Sequence, residues 1–392
     1  MPSRLNTNLR NSSCCILIFA FIWLSGCDST ERSLGKTGLT NDSTSPVFSL
    51  LDPQESGLYF INEVEENNQL NILTYEYLYN GGGVAIGDIN QDSLPDVFLS
   101  GNLFGGRLFL NKGNLEFEQI SETAGVFQQG WSTGVSMIDI NHDGYDDIYI
   151  CRSLASDPTL RRNVLLINNQ DNTFTNRAAE YGLDDPGFSH YASFFDYDRD
   201  GDLDMYLLNH RIDFKEALKL KYTTNAQGKK VKYKEETDLQ YSSDRLYRNN
   251  GNGTFSNVTQ AAGLLNNAFG LSVTTADIDK DGWVDIYVAN DYADKDHIYI
   301  NNGDGTFTDK VDDLLFHMSK NSMGSDIADY NNDGLPDLIS LDMMAEDNQR
   351  QKMLKGHGKG YRVPAPCARK CSRGRNPMTF TMPLWIMDLV TR

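Results

Sequence analysis

From residue 83 onward, short apolar runs alternate with clusters of Asp, Asn and Gly, and the alternation returns in the same order five times. Each round opens on a small apolar stretch: 83–87, 134–138, 191–195, 271–276 and 324–328. An acidic turn follows, then a second apolar run such as Val97-Phe98-Leu99 or Ile286-Tyr287-Val288. A third run ends on Asn (Asn111, Asn168, Asn249, Asn301), and a turn leads to a fourth carrying Phe117, Phe174, Phe255 or Phe307. The runs are short and rich in β-branched and aromatic residues, so they predict strands, with Asn-Gly and Asp-Gly turns marking hairpins. Successive acidic turns begin 51, 57, 81 and 52 residues apart. Four strands per unit of about 50 residues predict the blades of an all-β propeller and exclude a helical solenoid. Four complete units and the first two strands of a fifth are legible.

The acidic turns carry the chemistry. Positions 1, 3, 5 and 9 hold Asp88/Asn90/Asp92/Asp96, Asp139/Asn141/Asp143/Asp147, Asp196/Asp198/Asp200/Asp204, Asp277/Asp279/Asp281/Asp285 and Asp329/Asn331/Asp333/Asp337. Alternate residues of a tight turn can point to one centre, and hard oxygen ligands there suit Ca²⁺. The backbone carbonyl at position 7 (Leu94, Tyr145, Asp202, Trp283, Leu335) adds one more donor, and glycine at position 6 permits the turn, with Ser93 as the single departure. An EF-hand would need Glu at position 12, where Leu99, Ile150, Leu207, Val288 and Ser340 stand instead. Up to five Ca²⁺ are expected, each tying a first strand to a second.

Charge changes the picture only in part. The formal net charge of -19 argues against nucleic acid as a partner. Seventeen of the carboxylates sit at loop ligand positions, so five bound ions would leave about -9. A content of 40% hydrophobic and 11% aromatic residues is ample for a core. Near the start, Arg4 and Arg10 precede the apolar run 16–23 and then Leu24-Ser25-Gly26-Cys27, which resembles a bacterial lipobox. Residues 1–26 are therefore expected to be a lipoprotein signal peptide, and Cys27 the lipidated residue. That places the protein in the bacterial cell envelope, at the outer membrane or cell surface, anchored to the lipid bilayer. Residues 27–47 read as a flexible tether. The cysteines left after cleavage imply no disulfide framework.

The loops, the small-residue strand before each and the NNGDGTF-type hairpin after resemble FG-GAP/VCBS repeats. Such repeats occur in integrin-α propellers and in bacterial lipoproteins similar to the cartilage acidic protein family. The resemblance covers roughly 48–350 and implies a propeller of about seven blades. Two features depart from it. The fifth unit stops after two strands, and no Asp or Glu occurs between Asn348 and Met387. Residues 351–392 therefore read as an atypical basic tail, from a frame shift or a truncated gene model. Its Cys367 and Cys371 are too few for a zinc site.

Because the acidic loop joins strands one and two, residues leaving strand two should emerge on the opposite face. Asn102, Arg152, Asn209, His210, Asn290, Asp291 and Asp342 form this expected ligand-face ring, for a glycan or protein partner. The enlarged third unit adds 211–244, with lysines alternating around 225–228, which predicts a protruding hairpin. No G-x-S-x-G, H-E-x-x-H or phosphate-binding loop occurs. The expected function is binding or adhesion without catalysis. The alternatives are a calcium-dependent polysaccharide lyase using His210 or Arg152, and a scaffold of a surface complex.

Overall fold

A computed structural model describes residues 48–127, 129–212, 240–292, 294–316, 318–319 and 321–343, with the backbone alone of 222–224, 230–232 and 384–388. The chain divides into two units, Met1–Leu50 and Leu51–Arg392, and every sheet lies in the second. The signal segment, Cys27, the tether, Lys219, Lys221, Cys367 and Cys371 lie outside the described residues.

Each repeat folds as one antiparallel sheet. The first contains β1 (Val84–Gly87), β2 (Asp96–Leu99), β3 (Arg107–Asn111) and β4 (Phe117–Gln119), hydrogen-bonded in that order. The second contains β5 (Ser132–Ile138), β6 (Asp147–Arg152), β7 (Val164–Asn168) and β8 (Phe174–Asn176). In the third, β9 (Ser189–Phe195) and β10 (Asp204–Asn209) are followed by a separate hairpin, β11 (Tyr222–Thr224) with β12 (Lys230–Lys232). The same sheet then resumes with β13 (Arg245–Asn249) and β14 (Phe255–Asn257). The fourth contains β15 (Gly270–Ala276), β16 (Asp285–Asn290), β17 (His297–Asn301) and β18 (Phe307–Asp309). A hairpin expected in the enlarged unit is thus present, as the pairing of 222–224 with 230–232.

The fifth sheet corrects one expectation. Beside β19 (Ser322–Ala328) and β20 (Asp337–Asp342), a third strand, β21 (Leu384–Asp388), pairs antiparallel with β20 from Asp337↔Asp388 to Leu341↔Leu384. The open edge of β20 leaves backbone groups that need partners, and an apolar run in the basic tail meets that need. The change of composition at residue 348 hides this run in the sequence.

Each hydrophobic core lies between consecutive sheets. Ala85, Phe98 and Leu108 of the first pack with Val135, Ile148 and Ile150 of the second. Tyr149, Cys151 and Leu165 of the second pack with Ala192, Met205 and Leu207 of the third, and the series continues through the fourth to Leu338 of the fifth. Neighbouring residues of one strand point to opposite faces. Ile148 and Tyr149 therefore serve different cores, which is why the second strands read as unbroken apolar runs.

The first strands β1, β5, β9, β15 and β19 lie side by side in that order. Small residues allow this approach: a Cβ on Gly134 would stand 2.4 Å from the His190 carbonyl oxygen, and one on Gly83 would stand 2.8 Å from the Val135 nitrogen. The series does not close. Val84 and Ile86 of β1 are 61% and 64% exposed, whereas Val135, at the place of Val84 in β5, is 2% exposed. The five sheets form an incomplete β-propeller.

Candidate metal centres

The five acidic loops share one backbone path, held by their own carboxylates. At position 1, Asp139 accepts from the backbone nitrogens of Asp143 (3.0 Å) and Gly144 (2.8 Å), and Asp329 from those of Asp333 (3.0 Å) and Gly334 (2.8 Å). At position 5, Asp92, Asp143, Asp200, Asp281 and Asp333 each accept from the nitrogen at position 7. Such side chain to backbone bonds let Asp turn the chain locally. Position 4 is left-handed in all five loops, with φ between 57° and 63°, and position 6 likewise, with Ser93 at 65° where the others use glycine.

Position 9 has a second task. Asp96, Asp147, Asp204 and Asp285 are fully buried and Asp337 nearly so. Asp204 accepts from Tyr197 N (3.1 Å) in its own loop and from Asn249 N (2.8 Å) at the end of β13, and Asp285 does the same with Ile278 N and Asn301 N at 2.8 Å. The strand-ending asparagines reach further: the Asn168 amide donates to the Ile89 carbonyl, and that of Asn301 to the Tyr197 carbonyl, each in the preceding sheet. The sequence marks these asparagines only as turn residues.

The loops differ in what they offer a cation. In the third, carboxylate oxygens of Asp196, Asp198 and Asp204 lie within 4.8 Å of one another, and in the fourth so do those of Asp277, Asp279 and Asp281. Asp196 Oδ1, Asp198 Oδ1 and Asp277 Oδ1 are buried and have no hydrogen-bond partner. Convergent hard oxygens with unmet acceptor capacity fit a divalent cation, and these two clusters can hold a metal ion. In the first two loops the position-3 amides of Asn90 and Asn141 donate to Asp92 and Asp143, which offsets part of the crowding. Asp200, Asp88, Asp139, Asp329, Asn331, Asp333 and the carbonyl-bearing Leu94, Tyr145, Asp202, Trp283 and Leu335 occupy the expected loop positions. Burial, with neighbouring carboxylates adding, pushes Asp147 and Asp204 up to about 7 and Asp285 up to about 6. Asp198 and Asp279 rise for the same reasons.

The ring expected on the opposite face is largely buried, and its Asp291 lines a cavity of about 610 Å³ together with Tyr77 and Tyr292. Asn102, Asn209, His210, Asn290, Asp291 and Asp342 are buried, and Arg152 is half-buried. Asn102 bonds to Asn62, Gly81 and Ser132; the Asn209 amide donates to the Ser243 carbonyl and that of Asn290 to the Lys295 carbonyl. Tyr75, Tyr77 and Leu78, from the segment preceding β1, pack with Trp131, Phe269 and Leu271 across these strand exits. Tyr77 stacks on His210 at 5.3 Å and donates to Asp291 at 3.2 Å. His210 meets Ser153 Oγ at 3.1 Å, and burial together with His190 holds it well below the ordinary imidazole value. The spacing of Tyr75, Tyr77 and Tyr79 is the one sequence signal for this covering segment.

Another accessible cavity lies along the first strands. It measures about 540 Å³ and is lined by 80–83, the stretch leading into β1, and by the first strands of the other four sheets, including Thr133, Tyr191, Ser193, Thr274, Ser325 and Asp326. Among the described lining residues hydroxyls are the commonest polar groups and no Lys or Arg occurs, and Tyr191 is 38% exposed.

The FG-GAP-like repeat family matches residues 88–150, 238–288 and 277–340. None of the curated proteins matches the chain. An Agrocybe aegerita lectin with specific recognition of non-reducing terminal N-acetylglucosamine is similar at 17% identity, with 68% of this chain and 67% of that chain covered and a TM-score of 0.36. The V. cholerae biofilm matrix protein Bap1 is similar at 14% identity, with 66% of this chain and 34% of that chain covered and a TM-score of 0.35. The chain thus spans about a third of Bap1. At these scores neither likeness carries an argument about ligands.

Proposed function

We propose that this chain, which carries FG-GAP-like repeats, is a calcium-stabilised binding module for a glycan or protein, exported and lipid-anchored through Cys27. The observation that carries the binding reading is the cavity shared by the first strands of four sheets and the stretch leading into β1. Its hydroxyls offer donors and acceptors of either polarity, and the half-open Tyr191 ring offers an apolar platform beside them. Hydroxyls beside an aromatic face suit the alternating polar edges and apolar faces of a sugar ring, or an extended peptide. Calcium is supported by the unpartnered oxygens of the third and fourth loops, and the common backbone path extends the reading to all five. Weak sites, with Kd on the order of 10⁻⁴ to 10⁻³ M, suffice outside the cell.

Binding without turnover is preferred to lyase chemistry. A base for proton abstraction must reach its substrate. His210 is fully buried beneath Tyr77, and the Arg152 Nε and Nη2 atoms are buried as well.

The test is a screen of the calcium-loaded chain against neutral and acidic glycans and peptides, followed by calorimetry on whatever is retained. Tyr191→Ala and Asp326→Ala should each weaken retention by about ten-fold or more while leaving the melting temperature unchanged. Retention that survives both substitutions, or a folded, calcium-loaded chain that retains nothing, would remove this reading.

A further inference from the structure

The acidic loops are joined to one another by a set of side chains that no ligand role explains. Position 4 lies between the carboxylates at positions 3 and 5, has a left-handed backbone in every loop and is exposed in every loop. In three cases it reaches the position-6 residue of the next sheet. Gln91 donates to the Gly144 carbonyl at 2.7 Å, Arg199 donates to the Gly282 carbonyl, and Lys280 donates to the Gly334 carbonyl. Arg199 also lies over the ring of Trp283, 4.6 Å from its centroid, so it holds positions 6 and 7 of the fourth loop together.

The receiving residue matters. The amide nitrogens of Gly144, Gly282 and Gly334 donate to Asp139, Asp277 and Asp329, the first carboxylate of each loop. The residue whose carbonyl is gripped from the preceding sheet is therefore the one that orients the first candidate ligand of its own loop. It also precedes the position-7 carbonyl. Ordering one loop fixes its position 4, and position 4 fixes the next loop.

The series has one gap. His142 has the same backbone conformation, with φ 57°, but makes no bond to Gly201 among the described residues. We propose that Gln91, Arg199 and Lys280 are positioning residues that couple the cation loops in series, in two groups. Filling the first loop favours the second, and filling the third favours the fourth and then the fifth. The proposal rests on the reading of these loops as cation sites. It adds that their affinities are linked through bonds between sheets.

The experiment titrates calcium alone into the metal-stripped full chain by calorimetry, for the wild type, Gln91→Ala, Arg199→Ala, Lys280→Ala and His142→Ala. All four side chains are exposed, and circular dichroism in metal-free buffer checks that each variant keeps the wild-type fold. Stoichiometry should stay constant throughout. Arg199→Ala and Lys280→Ala should lower apparent affinity roughly three- to ten-fold and flatten the cooperative slope. Gln91→Ala should do so for the first group only, and His142→Ala should reproduce the wild-type curve. Arg199→Lys and Lys280→Arg, which keep a donor, should restore the slope. A wild type that takes up no calcium removes the cation reading beneath the proposal. Uptake with a full slope in Arg199→Ala and Lys280→Ala leaves that reading standing and overturns the coupling alone, as does an equal loss in His142→Ala.

Discussion

Calcium should stabilise this protein much more at about pH 7.5 than at about pH 5, because the carboxylates it would meet resist ionisation when the loops are empty. Burial pushes Asp147 and Asp204 up to about 7 and Asp285 up to about 6. Each lies above its unfolded value, so the native chain holds more protons than the unfolded chain between about pH 4 and pH 7. In metal-free buffer this contribution to stability is fully present below about pH 4 and is lost as pH rises through about 7. His190, held down to about 4 by burial, and His210, held low as well, act in the opposite direction over roughly pH 4 to 6.5. Neither belongs to an acidic loop, so their effect cancels when calcium and metal-free curves are subtracted. At pH 7.5, about 5 mM calcium on a site with Kd on the order of 10⁻⁴ M contributes roughly 2 kcal/mol. The two convergent loops together then give roughly 4 to 5 kcal/mol, or about 5 to 7 °C in melting temperature for a chain of this size. Below the titration of Asp204, binding must displace its proton, at a cost of about 1.4 kcal/mol per pH unit. The third loop should therefore be only about one-third filled by about pH 5 at the same calcium concentration, and its contribution should fall to a few tenths of a kcal/mol. Thermal unfolding by circular dichroism, with and without calcium at both pH values, measures the difference directly. A calcium gain that is equal at the two pH values, or larger at the lower one, would refute the reasoning.

Substituting Gly134 by Ala should destabilise the chain by about 2 to 4 kcal/mol with or without calcium, since the new Cβ meets the His190 backbone at 2.4 Å; a melting temperature within a degree of wild type in both buffers would contradict the close approach of β5 and β9. Ser93→Gly should stabilise by about 1 kcal/mol, because Ser93 sits at φ 65° where every other loop has glycine; chemical denaturation checks it, and a loss of stability would mean the serine side chain contributes more than its strain costs. Cys27→Ser should abolish incorporation of labelled fatty acid in a bacterial host and release the protein from the membrane fraction, and continued labelling would place the lipid elsewhere.

Local patterns were enough to establish much of this protein. Alternating apolar runs, Asn-Gly turns and the D-x-[DN]-x-D spacing are properties of a few adjacent residues, so the strand order within the first four sheets and the five acidic loops were legible without a structure. The hairpin of the enlarged unit was legible for the same reason, since its two strands pair across a short turn. Tertiary structure decided what depends on partners far away in sequence. Whether three carboxylates converge is set by side-chain directions that spacing leaves open, and they do so around Asp196 and Asp277. His210 and Asp291 looked like part of a surface ring because they follow strand ends; their burial against Tyr77 depends on a segment that crosses several sheets. The third strand of the fifth sheet joins residues about 50 apart across a change of composition, paired by backbone groups that carry no side-chain signature. The bonds from Arg199 and Lys280 to the next loop arise only once packed cores set successive sheets side by side, so a residue that reads as loop filler becomes a link between sites.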